Sequence, residues 1–384
     1  MAYTYYEVDP RVIRAAEAAR DAGYHVDVLA LRRPGNTPEE ITRGVRLIRL
    51  NQAKFRGKKL FRYFASYLEF FLRCFAKTTA LFFKYKYSVI HVNNMPDFLV
   101  FSTVIPRLFG AKIILDIHDP MPNTFASKFK GGDAGFYYQI LLWQERLSAA
   151  YSNQVITVHD PVKDGILVKH GLAPESIGVI ANFPDPEVFP LCDSFSIEGK
   201  IRFIFHGTIL ERSGLGLLMT AVSMARHKDK IHVKIIGEGD YSLALQESIR
   251  SLKLEDVVEF DNHGYKVHSI CEKIGDCNVG LVPLIISSVT NYALPLKLLE
   301  YISMGLPVLT VRSYAIAHYL SEEDCIFFEC NDPATLAAAI DKIAENPKML
   351  LQYRERSLTL RERFTWPSEK AKYIELLRRL AGAN

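Results

Sequence analysis

The 384-residue sequence contains no run of about 18 apolar residues, so it predicts no membrane-spanning helix. Its first residues, Met1-Ala-Tyr-Thr-Tyr-Tyr-Glu7, also lack the basic and apolar regions of a secretory signal. We therefore expect the protein to reside in the cytoplasm.

The sequence also has few cysteines and a small net charge. The six cysteines form no Cys-x-x-Cys pair and have no matching histidine spacing, which argues against a zinc site and favours reduced, buried thiols. A net charge of +4 is too small to indicate nucleic acid binding. What remains is an ordinary folded composition, with 49% hydrophobic and 23% charged residues, on a chain long enough for two domains.

The most informative stretch runs from Asn291 to Thr310. Pro295 suits the first turn of a helix, and Gly305 suits the left-handed residue beyond a helix end. These start and stop residues predict a helix of about ten residues. The apolar run Pro307-Val-Leu-Thr-Val311 then predicts a buried parallel strand.

Lys297 lies in the first turn of that helix, where the helix dipole disfavours a cation by a few tenths of a kcal/mol. An anion bound at the same turn would reverse the sign of this effect. Glu300 follows three residues later and projects from the same face. A cation for phosphate and a carboxylate for vicinal hydroxyls suit a nucleotide, whereas an exposed salt bridge between the two residues is the alternative.

This stretch resembles the donor-binding segment of the retaining family-4 glycosyltransferases, which have the GT-B fold. The family pattern is a pair of glutamates separated by seven residues and followed by Gly-x-Pro-Val, and Glu300, Gly305, Pro307 and Val308 match it. The resemblance implies that Glu300 holds the ribose hydroxyls of a nucleotide-sugar, with Pro295 and Lys297 beside it. Tyr292 stands where the family has its first glutamate, at the contact with the donor sugar.

The N-terminal part predicts a helix over 9–20, capped by Asp9 and started by Pro10, and then a strand over 25–31. A first strand ahead of this helix has only Met1 to Thr4 available, so we expect it to be short or missing. Family-4 glycosyltransferases have a full strand and a loop ahead of a similar Asp-Pro-Arg-Val segment. The resemblance implies that Arg11 lies on the acceptor side.

Two apolar strands, predicted at 88–93 and 111–118, both end in polar residues. Asn93 and Asn94 follow the first strand, and His118 and Asp119 follow the second. Because ligands gather beyond the carboxyl ends of parallel strands, this rim is a candidate site. A histidine that serves only as hydrogen-bonded scaffolding is the alternative.

The run Ile114-Leu-Asp-Ile-His-Asp-Pro-Met-Pro122 resembles a motif of the same glycosyltransferase family. The resemblance implies that His118 reaches the sugar and diphosphate of the donor, and that Asp119 orients the donor or touches the acceptor. It implies an acceptor-side position for Asn93 and Asn94. The glycine-bearing segment from Phe125 to Gly135 is predicted to be a mobile loop that could close over substrate.

Residues 54–86 form a basic and aromatic stretch with helical periodicity. One interpretation is a helix that packs on its own sheet with its cations in water. The other adds contact with an anionic membrane surface, which would place the protein at the inner face of the cell membrane. Nucleic acid is not expected, because no recognisable binding module accompanies the stretch.

The second half opens with the strand 201–207, which turns through Thr208 to Gly214 into a helix. A strand-to-helix turn bounded by glycine can bind phosphate through its free N–H groups. The family carries an arginine and a lysine at the positions of Thr208 and Ser213, so Arg212 is the candidate substitute, clamping a diphosphate together with Lys297. Gly237 and Gly239 resemble the family's turn beneath the nucleotide base.

These matches together predict an α/β protein with the GT-B fold, in which two Rossmann-like domains face each other across a cleft. We expect an acceptor-side domain at 1–190 and a nucleotide-sugar-binding domain at 196–365, with a proline-rich linker between them. A last helix at 366–384 is expected to return to the first domain.

The resemblance implies transfer of a sugar from a nucleotide-sugar to a hydroxyl of a glycan or lipid-linked acceptor in cell-surface polysaccharide biosynthesis. The anomeric configuration would be retained, with no metal and no cofactor. Two alternatives stay open: a nucleotide-sugar epimerase on the same fold, and a non-catalytic nucleotide-sugar-binding partner of a biosynthetic complex. The departures at Tyr292, Thr208 and Ser213 motivate the second alternative.

Overall fold

A computed structural model of the chain describes residues 1–55, 57, 60–128, 135–192, 194–265 and 267–382. It divides into two compact units, each built on parallel β-structure. The first unit contains Met1–Asn182 and the residues from Ser368 onward, and the second contains Phe183–Pro367. The α/β class predicted from the sequence is confirmed.

The first unit contains seven strands. They are β1 (Asp27–Leu31), β2 (Glu39–Thr42), β3 (Val45–Leu50), β4 (Val89–Asn93), β5 (Lys112–Ile117), β6 (Gln154–Thr157) and β7 (Ile177–Val179). They form two sheets, ordered β1-β3-β2 and β4-β5-β6-β7. All neighbours are parallel except β2 and β3, which form an antiparallel hairpin.

Residues 1–4 connect these two sheets. The Ala2 amide donates to the Leu29 carbonyl of β1 at 3.0 Å, and the Asn93 amide of β4 donates to the Met1 carbonyl at 2.9 Å. The amino group of Met1 donates to the His91 carbonyl at 2.7 Å. The first four residues therefore occupy a strand position between β1 and β4, although they are too few to form a regular strand.

The described α-helices of the first unit begin with the predicted one, which Asp9 caps by accepting from the Val12 amide. They are α1 (Pro10–Asp21), α2 (Leu60–Tyr85), α3 (Val104–Leu108), α4 (Met121–Lys128), α5 (Phe136–Tyr151) and α6 (Asp160–Val162). The connection from β4 to β5 begins as a 3-10 helix (Asp97–Thr103) and becomes α-helical only at α3. Further single turns are the 3-10 helices Tyr6–Val8 and Pro174–Ser176 and a π-helix, Lys163–Leu167.

The second unit has six strands in one fully parallel sheet, ordered β10-β9-β8-β11-β12-β13. They are β8 (Ile201–His206), β9 (Ile231–Ile236), β10 (Val258–Asp261), β11 (Val279–Val282), β12 (Val308–Val311) and β13 (Ile326–Phe328). The chain leaves β8 toward β9 and later returns to its other side at β11. The carboxyl end of β8 is therefore the point at which the strand order reverses, where open α/β sheets bind ligands.

Helices cover both faces of this second sheet. They are α7 (Leu215–Met224), α8 (Ser242–Ser251), α9 (Val267–Gly275), α10 (Leu296–Ser303), α11 (Tyr314–Tyr319), α12 (Pro333–Glu345) and α13 (Met349–Arg363), with 3-10 turns at Glu211–Ser213, Lys228–Lys230 and Thr290–Tyr292. The last helix, α14 (Trp366–Ala381), packs on the first unit. Its Glu369 accepts from the Ala181 amide at 2.7 Å, and its Tyr373 hydroxyl lies 2.7 Å from His91 Nδ1.

Candidate functional site

Two backbone turns meet at the carboxyl ends of β8 and β9. Gly207 and Gly237 have positive φ angles of 117° and 143°. A Cβ atom on Gly237 would lie 1.9 Å from the Gly207 carbonyl oxygen, and one on Gly239 would lie 2.2 Å from the Ile209 oxygen. Only glycine lacks the Cβ atom that would clash at these positions, which explains why both ends of the predicted Gly-x-Gly turn are glycine.

Glu300 lies on α10 and contacts the end of β8 through His206. The Glu300 Oε2 atom is 2.8 Å from His206 Nε2, and His206 Nδ1 is 2.9 Å from the Tyr301 hydroxyl. The Tyr301 hydroxyl also donates to the Ile204 carbonyl at 3.1 Å, so both nitrogens of the His206 ring are held by α10 residues at the end of β8. Burial raises the pKa of Tyr301, which therefore keeps its proton.

Lys297 lies one turn earlier on α10. Its Nζ is 3.5 Å from the centre of the Phe205 ring, and a Cβ atom on Gly207 would lie 3.3 Å from it. Burial lowers the pKa of Lys297 to about 7, and the charge of Glu300 offsets only part of this effect. An anion at the Gly207 turn would therefore stabilise the charged form of this amine.

Two details of the predicted helix are corrected. Pro295 is the residue before the first turn rather than within it, with ψ at 127°, and α10 contains eight residues instead of ten. The alternative of an exposed salt bridge between Lys297 and Glu300 is also not what the structure contains, because Glu300 pairs with His206. Gly305 has the expected positive φ of 74°.

The other predicted donor-side residues lie on loops of the same unit. Thr208 and Arg212 are exposed on the segment after Gly207. This segment is fixed by Gly214, where a Cβ atom would lie 1.8 Å from the Pro283 oxygen. Tyr292 is half-buried, with its ring 5.2 Å from that of Tyr314. A shared phosphate between Arg212 and Lys297 stays a prediction.

The predicted rim of the first unit centres on Asn94. Its side-chain oxygen accepts from the amides of His118 and Asp119 at 3.1 and 3.4 Å. Its side-chain nitrogen donates to the Asp119 carbonyl at 2.7 Å and to Asp97 Oδ1 at 2.9 Å. Asn94 thus uses two donors and two acceptors to fix the turn after β5. His118 is half-buried on this turn, and Asp119 is exposed.

A carboxyl pair lies beneath this turn. Asp97 and Glu145 are both fully buried, and the Asp97 Oδ2 and Glu145 Oε2 atoms have no hydrogen-bond partner. Burial, reinforced by the charge of Glu145, raises the pKa of Asp97 to about 8. The other Glu145 oxygen lies 2.6 Å from His170 Nδ1. Asp97 is therefore neutral near pH 7, and the sequence analysis did not single out either carboxyl group.

Arg11 lies in a buried ion pair. Its Nε and Nη2 atoms donate to the two oxygens of Asp116 at 2.6 and 2.7 Å, and its Nη1 donates to the Ile180 carbonyl at 2.8 Å. Burial alone would raise the pKa of Asp116, but the Arg11 guanidinium and a hydrogen bond from His91 hold it well below its usual range. This contact joins α1 to β5.

Asn93 faces a different part of the first unit. Its side-chain nitrogen lies 3.4 Å from the Met1 carbonyl, and its side-chain oxygen is buried without a partner. The residue borders a cavity of about 520 Å³ between β1 and β4, whose lining includes neither His118 nor Asp119. The structure therefore brings Asn94, His118 and Asp119 together and separates Asn93 from them.

Several expectations concern residues outside those described. Residues 129–134 of the predicted mobile loop are among them, as are Arg56, Lys58 and Lys59 of the basic stretch. In the described part of the chain, no group of three or more His, Cys, Asp or Glu side chains could hold a metal ion. None of the described helices combines the length and the apolar character needed to cross a bilayer.

Two family models match consecutive parts of the chain. Residues 10–188 match the model described as glycosyltransferase family 4, and residues 193–359 match the model described as glycosyl transferases group 1. Together they take in most of the chain. No curated protein sequence matches it.

Solved structures resemble the chain over its whole length. Sucrose-phosphate synthase from Thermosynechococcus elongatus has a TM-score of 0.74 at 19% identity, covering 100% of this chain and 99% of its own. HepE from Anabaena, in complex with UDP and glucose, has a TM-score of 0.75 at 12% identity and 98% coverage of both chains. WaaG, a glycosyltransferase involved in lipopolysaccharide biosynthesis, has a TM-score of 0.65 at 15% identity, covering 98% and 97%. At these identities the similarity establishes the fold alone, and the predicted pair of Rossmann-like domains is confirmed.

Proposed function

Because the chain belongs to the group 1 glycosyltransferases with the GT-B fold, we propose that it moves a sugar from a nucleotide-sugar to a hydroxyl acceptor with retention of anomeric configuration. The observation that carries this proposal is the site at the carboxyl end of β8. There a carboxylate fixed by His206 and a cation at a glycine turn share one face of α10.

In this proposal the nucleotide part of the donor binds to residues of the second unit. Glu300 accepts from the ribose hydroxyls, and its hydrogen bond from His206 supports that role by fixing the carboxylate. The diphosphate lies at the Gly207 turn, next to Lys297 and the free amides at the start of α10. Arg212, exposed on the next turn, supplies a second cation.

The proposed chemistry requires few protein groups. The acceptor oxygen attacks the anomeric carbon on the face from which the phosphate leaves, and the leaving phosphate oxygen takes the acceptor's proton. Lys297 and the helix amides stabilise the charge that develops on the diphosphate, without a metal or a cofactor. His118 contacts the donor sugar and Asp119 orients the reacting groups. Tyr292 offers no carboxylate, so no covalent intermediate forms there.

We propose a glycan or lipid-linked intermediate of cell-surface polysaccharide as the acceptor, handled on the cytoplasmic side of the membrane. The role of WaaG in lipopolysaccharide biosynthesis supports this class of acceptor. The complex of HepE with UDP and glucose makes UDP-glucose the first donor to test.

The first experiment is a thermal shift with a panel of nucleoside diphosphates and nucleotide-sugars. A ligand at about 100 times its Kd stabilises the fold by about 2.7 kcal/mol, so one base should raise the Tm of the wild type. The Glu300→Gln variant should lose this shift, and the exposed control Glu247→Gln should keep it. A panel that shifts neither protein would contradict the proposed donor site.

The second experiment follows a radiolabelled sugar from the donor that binds. Transfer to a lipid extract of the cell membrane, with retention seen by NMR of the product, is the expected outcome. Donor isomerised without an acceptor would instead indicate an epimerase. Binding with neither transfer nor hydrolysis would indicate a non-catalytic partner.

A further inference from the structure

One asparagine connects the turn after β5, called the His118 turn below, to the buried carboxyl pair. Asn94 accepts from the His118 and Asp119 amides through its side-chain oxygen. Its side-chain nitrogen donates to the Asp119 carbonyl at 2.7 Å and to Asp97 Oδ1 at 2.9 Å. All the hydrogen-bonding groups of this amide are therefore in use. Because Asn94 is held from both ends, a displacement of Asp97 must also displace the His118 turn.

The position of Asp97 depends on Glu145. Asp97 begins the 3-10 helix Asp97–Thr103, and Glu145 lies on α5, which packs on that helix. Among the described residues, neither Asp97 Oδ2 nor Glu145 Oε2 has a hydrogen-bond partner, and both side chains are fully buried. Two acceptor oxygens left without a donor in the interior are costly. A single proton on the pair supplies the donor that these oxygens otherwise lack.

The other titratable groups around the pair come from two further elements. His170, in the segment after the π-helix, lies 2.6 Å from the second oxygen of Glu145 through its Nδ1 atom. Tyr67 of α2 faces Asp97, and burial raises the pKa of this phenol well above its usual range, so it stays neutral. The proton that is lost as the pH rises past neutrality is therefore the one on the carboxyl pair.

We propose that Asp97 and Glu145 are positioning residues, and that one shared proton keeps the His118 turn in its reactive position. With this proton, Asp97 can accept from Asn94 while the pair holds α5 against the 3-10 helix. Without it, two carboxylates repel each other in a medium of low dielectric constant, and Asp97 moves together with Asn94. The consequence for turnover rests on the proposed function, in which His118 contacts the donor sugar.

Turnover should consequently decline at high pH. Burial raises the pKa of Asp97 to about 8, so the shared proton is present below this pH and lost above it. At saturating donor, kcat should be level below about pH 7 and fall above about pH 8, by up to about tenfold per pH unit. Saturation separates this effect from Lys297, because a bound diphosphate keeps that amine charged. The probe is UDP-glucose, or the nucleotide-sugar that raises the Tm, with transfer to the membrane lipid extract.

Variants of Asp97 separate positioning from stability. Asp97→Asn keeps an acceptor for Asn94 and supplies a permanent donor to Glu145, so kcat should stay within about twofold of the wild type and lose its decline at high pH. Asp97→Ala removes the acceptor and should lower kcat at least about tenfold, while the KM for the donor changes less than about twofold.

Asp341→Ala is the matched control. It removes a buried carboxyl group from the second unit, where Asp341 accepts from the Arg226 and His227 amides. The variant should have a lower Tm but the same kcat and pH profile as the wild type. Loss of a buried carboxylate would then not by itself explain a lower kcat.

The His118 amide reports on the same coupling without turnover. Labelling with ¹⁵N-histidine gives signals for the 11 histidines, and the His118 signal is the one missing in His118→Gln. In the free wild-type protein its shift should change as the pH rises through the titration of the carboxyl pair. In Asp97→Asn this change should be absent, whereas any change caused by the His118 ring itself should appear in both proteins.

Three results would overturn the inference. They are a decline of kcat at high pH that persists in Asp97→Asn, an Asp97→Ala variant with the kcat of the wild type, and a His118 amide that moves identically in the wild type and Asp97→Asn. A protein that binds the donor but never turns it over would instead contradict the proposed function, and the amide signal would then still decide whether the carboxyl pair positions the turn.

Discussion

The two domains use the polar residues of their candidate sites differently. In the second domain Lys297 has an aromatic ring beneath it and a glycine turn beside it, so its charge is available to a ligand. In the first domain the side chains of Asn94 and Arg11 form their hydrogen bonds with other groups of the protein. A polar residue after a buried strand is therefore an ambiguous signal until its internal partners are known.

The difference suggests a criterion for ranking the candidates. His118 has a buried Nδ1 atom without a partner, and Lys297 is a half-buried amine whose pKa is lowered by desolvation and only partly restored by the charge of Glu300. Both have unused capacity for a ligand. Asn94 and Arg11 act instead as positioning and structural residues in the described contacts, and a direct acceptor contact of Arg11 remains a prediction.

The largest expected effect comes from breaking the Arg11–Asp116 pair. Arg11→Met would leave a buried carboxylate without its guanidinium and should lower the free energy of unfolding by about 3–5 kcal/mol. The nucleotide shift should persist at a temperature where the variant is folded, because the donor residues lie in the other domain. Chemical denaturation followed by tyrosine and tryptophan fluorescence measures the loss.

The double variant Arg11→Met/Asp116→Asn is the control for that prediction. Removing the orphaned charge should recover part of the stability. If Arg11→Met were as stable as the wild type, the pair would not be the structural contact described here.

The glycine turns of the second domain are the next test. Gly237→Ala would place a methyl group 1.9 Å from the Gly207 carbonyl oxygen and should cost about 3 kcal/mol as well as nucleotide binding. Gly110→Ala is the matched control, because Gly110 also has a positive φ, of 100°, but no atom within 4 Å of the added carbon. It should cost only about 1 kcal/mol. Equal losses of Tm in the two variants would mean that the close approach is not what requires glycine.

Lys297 should make nucleotide binding depend on pH. The free protein loses the proton of Lys297 above its pKa of about 7, whereas a bound diphosphate requires the charged form. Affinity should therefore fall between pH 7 and 9, by up to about tenfold per pH unit. Isothermal titration calorimetry over this range measures the slope.

Lys297→Met should weaken binding at pH 7 by about tenfold to a hundredfold and remove the slope. Lys342→Met, on an exposed face of α12, should change neither. A slope that survives in Lys297→Met would assign the titration to another group.

The sequence predicted the elements whose signals are local. Asp9 caps α1, Gly305 ends α10 with a positive φ, and the strand predicted at 201–207 is β8, each because a few neighbouring residues decide the backbone. Within the site, Glu300 and Lys297 were predicted from their spacing of about one helical turn and from the family pattern around them.

The remainder depended on contacts between distant residues. His206 meets Glu300 across 94 positions of sequence, and Arg11 meets Asp116 across 105, so no local pattern could pair them. Asp97 was not predicted, because its burial beside Glu145 follows from how α5 packs over 97–103. A polar residue at the end of β8 was the one signal that could have indicated His206.

The smallest effect should come from the buried carboxyl pair. The pKa of Asp97 is raised to about 8 from 3.8, so the folded protein holds a proton that the unfolded chain releases. Stability should consequently fall as the pH rises through this window, and the loss should level off above pH 8.

Asp97→Asn keeps an acceptor for Asn94 and cannot ionise. Its Tm should match the wild type near pH 5 and exceed it by a few degrees at pH 8. Scanning calorimetry at the two pH values measures this difference in Tm between variant and wild type. The same difference at both pH values would indicate a packing effect and an Asp97 that is ionised in the wild type. A gain at pH 8 would mean that the carboxyl pair beneath the His118 turn lowers the stability of the protein. The donor site in the other domain differs, because its cation lies where a ligand can neutralise it.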